Sequence, residues 1–130
     1  MLLIGAGSGV VPLMAMIRYR KASGEPVPVA LLLSSRTWGD VLFRDELLEL
    51  ERSLPDFALA LALTGEPAMR SSDFNRRIDA TMVADVAARL PVSPGNVFVC
   101  ESNAFVDTAA DAALALRLES RLIKTERYGA

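Results

Sequence analysis

The residues with the most chemical content lie near the amino terminus, in Gly5-Ala6-Gly7-Ser8-Gly9-Val10-Val11-Pro12. Alternating glycines between an apolar run and a helical pattern let the backbone pass close to a ligand. The free N–H groups at the start of a helix can then receive an anion such as phosphate. A tight strand-to-helix turn with no ligand is the plainer reading of the same residues. Three rival chemistries fail on spacing. The G-x-G-x-x-G fingerprint fails because Val10 stands where its third glycine belongs, and the Gly-Lys-Ser/Thr ending of a Walker A loop is absent. A hydrolase nucleophile elbow fails because Ser8 has Ala6 and Val10, not glycines, two residues to either side.

What the chain lacks narrows the chemistry further. It has no histidine, which removes the commonest general base, the commonest transition-metal ligand and every imidazole triad. Its formal net charge of -2 and its scattered arginines offer no surface for a nucleic-acid backbone. A single cysteine, Cys100, excludes an intrachain disulfide and any multi-cysteine metal or iron-sulfur site, and so no metal is expected. A reducing compartment, the cytoplasm, is the expected location. Hydride transfer from a nicotinamide is compatible with all of this, because there the cofactor carries the chemistry and the protein positions it.

These residues must be held by a small fold. At 130 residues, 52% hydrophobic and 23% charged, the chain has room for one domain and one core. Met1 to Ile17 is uncharged, but it contains three glycines and a proline and has no positive residue ahead of the apolar run. A strand, a turn and a buried helix explain it better than a leader or a membrane span. Five apolar runs follow one another along the chain: Leu2 to Ile4, Val27 to Ser34, Phe57 to Leu63, Asn96 to Cys100 and Leu122 to Thr125.

Between the runs lie four helical patterns. Val10 to Ala22 has Pro12 in its first turn, Arg18, Arg20 and Lys21 in its last, and Gly24 just past its end. A second begins at a Thr37 to Asp40 capping pattern and runs through Leu50, with Phe43, Leu47 and Leu50 on one face. A third starts near Asp79 and is closed by Pro91, and a fourth spans Ala104 to Leu116. Alternation of continuous apolar strands with helices predicts an α/β fold, a doubly wound five-stranded parallel sheet in the order 3-2-1-4-5 with helices on both faces. Such sheets bind ligands at the carboxyl ends of their strands. That rule selects Gly5 to Gly9, Ser34 to Arg36, Thr64, Cys100 to Asn103 and Glu126 to Tyr128.

The first of these segments resembles the G-x-G-x-G-x-x-P motif of the ferredoxin:NADP reductase family. Ser34-Ser35-Arg36-Thr37 followed by Phe43-Arg44-Asp45-Glu46-Leu47 is similar to the family's second strand and helix. Phe98-Val99-Cys100 and Ser102-Asn103-Ala104-Phe105-Val106 are similar to its Cys-Gly-Pro/Ser segment, and Thr125-Glu126-Arg127-Tyr128-Gly129 to its carboxyl-terminal Glu-x-aromatic-Gly. The resemblance covers nearly the whole chain in the right order. It implies that Gly7, Ser8 and Gly9 hold the pyrophosphate in a loop shaped by the glycines and Pro12, and that Ser35 and Arg36 meet the adenosine ribose; Gly5, Val10 and Thr64 are further cofactor-binding candidates. It also implies that Cys100, Ser102, Asn103, Glu126 and Tyr128 lie near the nicotinamide and the flavin, with Cys100 and Glu126 closest to the reacting atoms.

The residues agree with this in part. Arg36 follows the second strand and no Asp or Glu appears before Asp40, which favours NADPH over NADH. Taken alone, Arg36 also reads as a solvated surface arginine, Cys100 as a buried strand cysteine, and Glu126 and Tyr128 as simple terminal residues. Two positions depart from the family. Glu101 stands where a glycine usually approaches the nicotinamide, so its carboxylate would obstruct the ring, point to solvent or bind a partner. Arg76 precedes Arg77-Ile78 where relatives often have Gly-Arg-Ile.

The expectation is therefore one NAD(P)-binding domain, residues 1–130, with the barrel and Arg-x-Tyr/Phe-Ser motif that hold FAD absent from this chain. It would serve as an oxidoreductase component, inactive alone, whose partners are a flavin-binding domain or protein and an electron acceptor. The alternatives are a non-catalytic nucleotide-binding or partner-regulating module, or a truncated remnant whose exposed interface promotes self-association.

Overall fold

The structure, a computed structural model, describes residues 1–24, 27–101 and 123–127. Its strands are β1 (Leu2–Ala6), β2 (Val29–Ser35), β3 (Phe57–Leu63), β4 (Val97–Glu101) and β5 (Ile123–Arg127). They form one sheet in the order β3-β2-β1-β4-β5, with every pairing parallel. This is the predicted order. The strand centres fall on the predicted apolar runs, while β1, β4 and β5 each extend past them toward the residues singled out as sites.

The sheet forms because its central strands are apolar on both faces, as a parallel sheet between helices requires. Leu3, Leu31, Leu33, Leu59, Leu61 and Leu63 share one buried cluster with Leu13, Met14 and Ile17 of α1 (Val10–Ser23) and with Leu47 and Leu50 of α2 (Arg44–Ser53). Leu2, Ile4, Leu32, Val97 and Val99 share the opposite cluster with Met82, Val83 and Val86 of α3 (Ala80–Ala87). Alternate residues of each strand thus feed different cores, the period-2 rule of a strand.

Helix α1 follows the sequence closely. Gly24 closes it in the left-handed region (φ 70°), its N–H donating to Arg20 O at 3.1 Å, and Arg18 pairs with Glu46 of α2. The second helix is a correction. It does not start at Thr37, whose side chain caps nothing. Trp38–Asp40 forms only a single 3-10 turn, Val41 is extended, and Phe43 adopts φ 57° before α2 begins at Arg44. Tertiary contacts hold that turn instead: Trp38 N–H donates to Glu66 Oε1 at 2.6 Å and Arg44 Nη1 donates to Trp38 O at 2.9 Å. Burial of Val41 also draws the chain out of helical register. Helix α3 starts at the predicted Asp79, which accepts from Met82 N–H at 2.8 Å, and it ends at Ala87, earlier than Pro91. The fourth predicted helix, 104–116, lies outside the described residues.

Strand β3 is the sheet's edge, and its outward backbone groups are covered. Leu59 N–H donates to Glu51 Oε2, and Leu59 O accepts from Arg70 Nη2. Leu61 N–H donates to Asp73 Oδ1, Leu61 O accepts from Phe74 N–H, and Leu63 N–H donates to Phe74 O. Leu63 O accepts from Asn75 Nδ2. The segment from Arg70 to Asn75 thus closes an edge that would otherwise be open to pairing with another chain.

Candidate functional site

Because all five strands run in one direction, their carboxyl ends meet along one rim. The register sets Ala6 beside Ser34, Gly5 beside Cys100, Ser35 beside Leu63, and Cys100 beside Glu126. Sequence segments far apart in the chain therefore converge where β1 leads into α1, between β2 on one side and β4 on the other.

At the centre is the glycine turn. Gly7 lies at φ 52°, a left-handed conformation that a side chain disfavours. A Cβ on Gly9 would meet Cys100 O at 2.3 Å, so the turn rests directly on the end of β4. A Cβ on Gly5 would meet Leu13 Cδ1 at 2.9 Å, so this glycine lets α1 pack onto β1. Val10 is fully buried and contributes its backbone to the turn, whereas Gly7 and Ser8 are exposed. No side chain caps the start of α1, and its first turn holds no acidic residue. The glycine turn, Gly7–Gly9, is itself a short 3-10 helix that runs into α1, with Val10 N–H donating to Gly7 O, so the N–H groups ahead of Val10 are the ones an anion at the rim can meet.

One carboxylate does reach them from a distant part of the chain. Gly9 N–H donates to Glu101 Oε2 at 3.3 Å, and a Cβ on Gly7 would lie 3.4 Å from the same oxygen. Its position suggested obstruction of the ring, exposure to solvent or contact with a partner; the carboxylate turns back onto the glycines.

At the end of β2, Ser35 is buried, and Arg36 and Thr64 are exposed next to each other. Thr64 N–H donates to Ser35 O at 3.0 Å and Gly65 N–H to Arg36 O at 2.7 Å, which pins the ends of β2 and β3 together. A carboxylate that the sequence reading missed, Glu66, arrives here from the segment after β3 and accepts from Trp38 N–H. The adjacency of β3 and β2 in the predicted order was the signal for it.

On the β4 side, Cys100 is buried, 5% exposed, within the core cluster shared with α1. A cleft of about 480 Å³ between the start of α1 and strands β4 and β5 is lined by Pro12, Met16, Phe98, Cys100 and Lys124. Pro12 and Cys100, both selected from sequence, therefore share one wall. The backbone of Glu126 pairs with Cys100 across β4 and β5. Ser102, Asn103 and Tyr128 lie outside the described residues. Concave, mostly apolar and opening beside a helix start, the rim can take a flat ring in the cleft and an anion on the glycines.

Comparison with known proteins bears on this arrangement. The family described as the oxidoreductase NAD-binding domain matches residues 3–111. The reductase component of propane 2-monooxygenase from Mycolicibacterium goodii is 30% identical over 108 residues, covering 82% of this chain and 31% of that protein. The ferredoxin reductase component of 3-ketosteroid-9-alpha-monooxygenase from Mycobacterium tuberculosis is 31% identical over 131 aligned positions, covering 98% of this chain and 33% of that protein. Among solved structures, a flavohemoglobin from Malassezia yamatoensis with bound FAD and heme superposes with a TM-score of 0.80 at 26% identity, over 98% of this chain and 31% of that one. An Amycolatopsis cytochrome P450 reductase gives 0.79 at 26%, over 98% and 37%. The chain spans about a third of the length of the curated relatives it matches.

Proposed function

The chain belongs to the oxidoreductase NAD-binding domain family, and from that premise we propose that it holds NAD(P)H on its glycine turn and presents the nicotinamide to a flavin carried by another domain or chain. Residues 1–130 act as one dinucleotide-binding unit in this reading. Gly7, Ser8 and Gly9 receive the pyrophosphate, with the backbone of Val10 and the ring of Pro12 shaping the start of α1. Ser35, Arg36 and Thr64 meet the adenosine ribose. Cys100 packs beside the nicotinamide without attacking it, and Ser102, Asn103, Glu126 and Tyr128 complete the flavin-facing side.

The observation that carries this reading is the close approach of Gly9 to Cys100 O, which sets the glycine turn next to the strand end that lines the cleft. When bound there, NAD(P)H would supply a hydride to FAD, from which electrons pass on to an acceptor. The chain's own contribution is to fix the dinucleotide in place, with no covalent step. Reductase components among its relatives support an oxidoreductase over a non-catalytic module or a remnant. Arg36, exposed at the end of β2, supports NADPH as the dinucleotide through a charge-assisted contact to its ribose phosphate. A single cysteine in the sequence agrees with the cytoplasm. No helix among the described residues is long and apolar enough to cross a membrane.

Calorimetric titration of the chain with NADPH, NADH and FAD, repeated on Arg36→Ala, tests this. The expected result is NADPH binding that weakens roughly tenfold in the variant, little change for NADH, and no binding of FAD. A folded chain that binds neither nucleotide would overturn the reading.

A further inference from the structure

The carboxylate of Glu101 lies where the proposed pyrophosphate would lie. Its Oε2 accepts from Gly9 N–H and sits beside Gly7, at the start of a helix that has no acidic residue in its own first turn. Resting on the reading of Gly7 to Gly9 as the pyrophosphate loop, we propose that Glu101 is an internal anion, one that occupies this loop in the free protein and sets the affinity with which a dinucleotide enters.

The physical grounds are direct. One backbone N–H cannot serve a carboxylate and a phosphate at once, and two anions brought onto the same glycines repel each other. Glu101 is the last residue of β4 and its backbone pairs with Arg127 of β5, so it is the side chain that must rotate away. A glutamate has the reach and the free torsions to do so without moving the sheet. The dinucleotide therefore binds against the loss of the Glu101 contact, and its apparent affinity falls accordingly. In the free protein the same carboxylate completes the start of α1, where a negative charge is favourable. Glu101 thus acts in opposite directions on stability and on binding, and a residue with a purely structural role would not do this.

The test compares wild type with Glu101→Gln, which keeps the size and removes the charge, and with Glu101→Ala, which removes the group. Each is titrated with NADPH, with NADH and with ADP-ribose, which has the pyrophosphate and adenosine but no nicotinamide. Melting temperatures are recorded with and without ligand. The expected result is dinucleotide binding about tenfold tighter in both variants, with ADP-ribose improved by the same factor. Both free variants should melt slightly lower than wild type and gain more from ligand. Tightening for the dinucleotides with ADP-ribose unchanged would overturn the proposal, because Glu101 would then act on the ring and not on the loop. Wild-type binding that is equal to or tighter than that of the variants would overturn it while leaving the loop assignment intact. Absence of binding in wild type and both variants would overturn the loop assignment itself.

Discussion

Gly9 has no space for a side chain, since a Cβ there would meet Cys100 O at 2.3 Å and Cys100 C at 2.9 Å. Backbone cannot yield as a flexible side chain can, so Gly9→Ala must part α1 from β4. We expect a loss of about 2 kcal/mol or more in urea unfolding, and loss of dinucleotide binding under conditions where the variant is still folded. Arg36 works at the same scale but through charge. It is exposed, so Arg36→Ala should leave stability within about 0.5 kcal/mol while changing nucleotide preference. These two residues also show how unevenly a site can be read. The spacing of the glycines was visible directly. That Glu101 reaches them depends on the pairing of Gly5 with Cys100, which brings residues nearly a hundred positions apart into contact.

Among the elements, α3 offers the clearest test of local physics. Asp79 caps it by accepting from Met82 N–H and also pairs with Arg76 at 2.9 Å. Arg76 first, and then the Met82 N–H, hold its carboxyl below the ordinary value of 3.8. With the folded-state value depressed, the contribution of Asp79 is complete above the ordinary value and is lost as pH falls through the folded one. Asp79→Ala should cost about 1 kcal/mol at neutral pH. Asp79→Asn keeps an acceptor without the charge, so the gap between it and wild type should close on acidification below pH 3.8; a constant gap in acid unfolding would contradict this. This cap was legible because it is local, three residues from donor to acceptor. The start of α2 was misread because Glu66, Arg44 and the burial of Val41 outweigh the Thr37 pattern.

For the molecule as a whole, the guarded edge of β3 decides whether the sheet stays closed to other copies. Arg70 joins Asp73 at 2.8 Å to Leu59 O and to Glu51, and the Asp73 side chain is fully buried. The hydrogen bond to Asp73 first, and then the Glu51 carboxylate, raise the Arg70 guanidinium above its ordinary value. Arg70→Ala would strand the buried Asp73 charge and uncover Leu59 O, at an expected cost of about 2–4 kcal/mol. It should also promote self-association, visible as an earlier elution in size-exclusion chromatography at raised concentration. Arg70→Lys should recover part of the stability only, because the three donors of an ammonium sit on one nitrogen and cannot span acceptors that the guanidinium reaches from Nε, Nη1 and Nη2.

The sheet, its order and the loop at its centre were legible in local pattern alone. Apolar periodicity, strand length and helix stops act within a few residues of one another and leave one economical packing, two cores on either side of five parallel strands. Tertiary structure alone decided which charged groups meet the rim of that sheet. Glu101 on the glycines, Glu66 on Trp38 and Arg70 across the β3 edge are contacts of side chains with distant backbone groups that no local pattern pairs. Their partners are backbone groups left over by the parallel ladder and by a helix start, and which side chain reaches them is settled only when the strands are side by side.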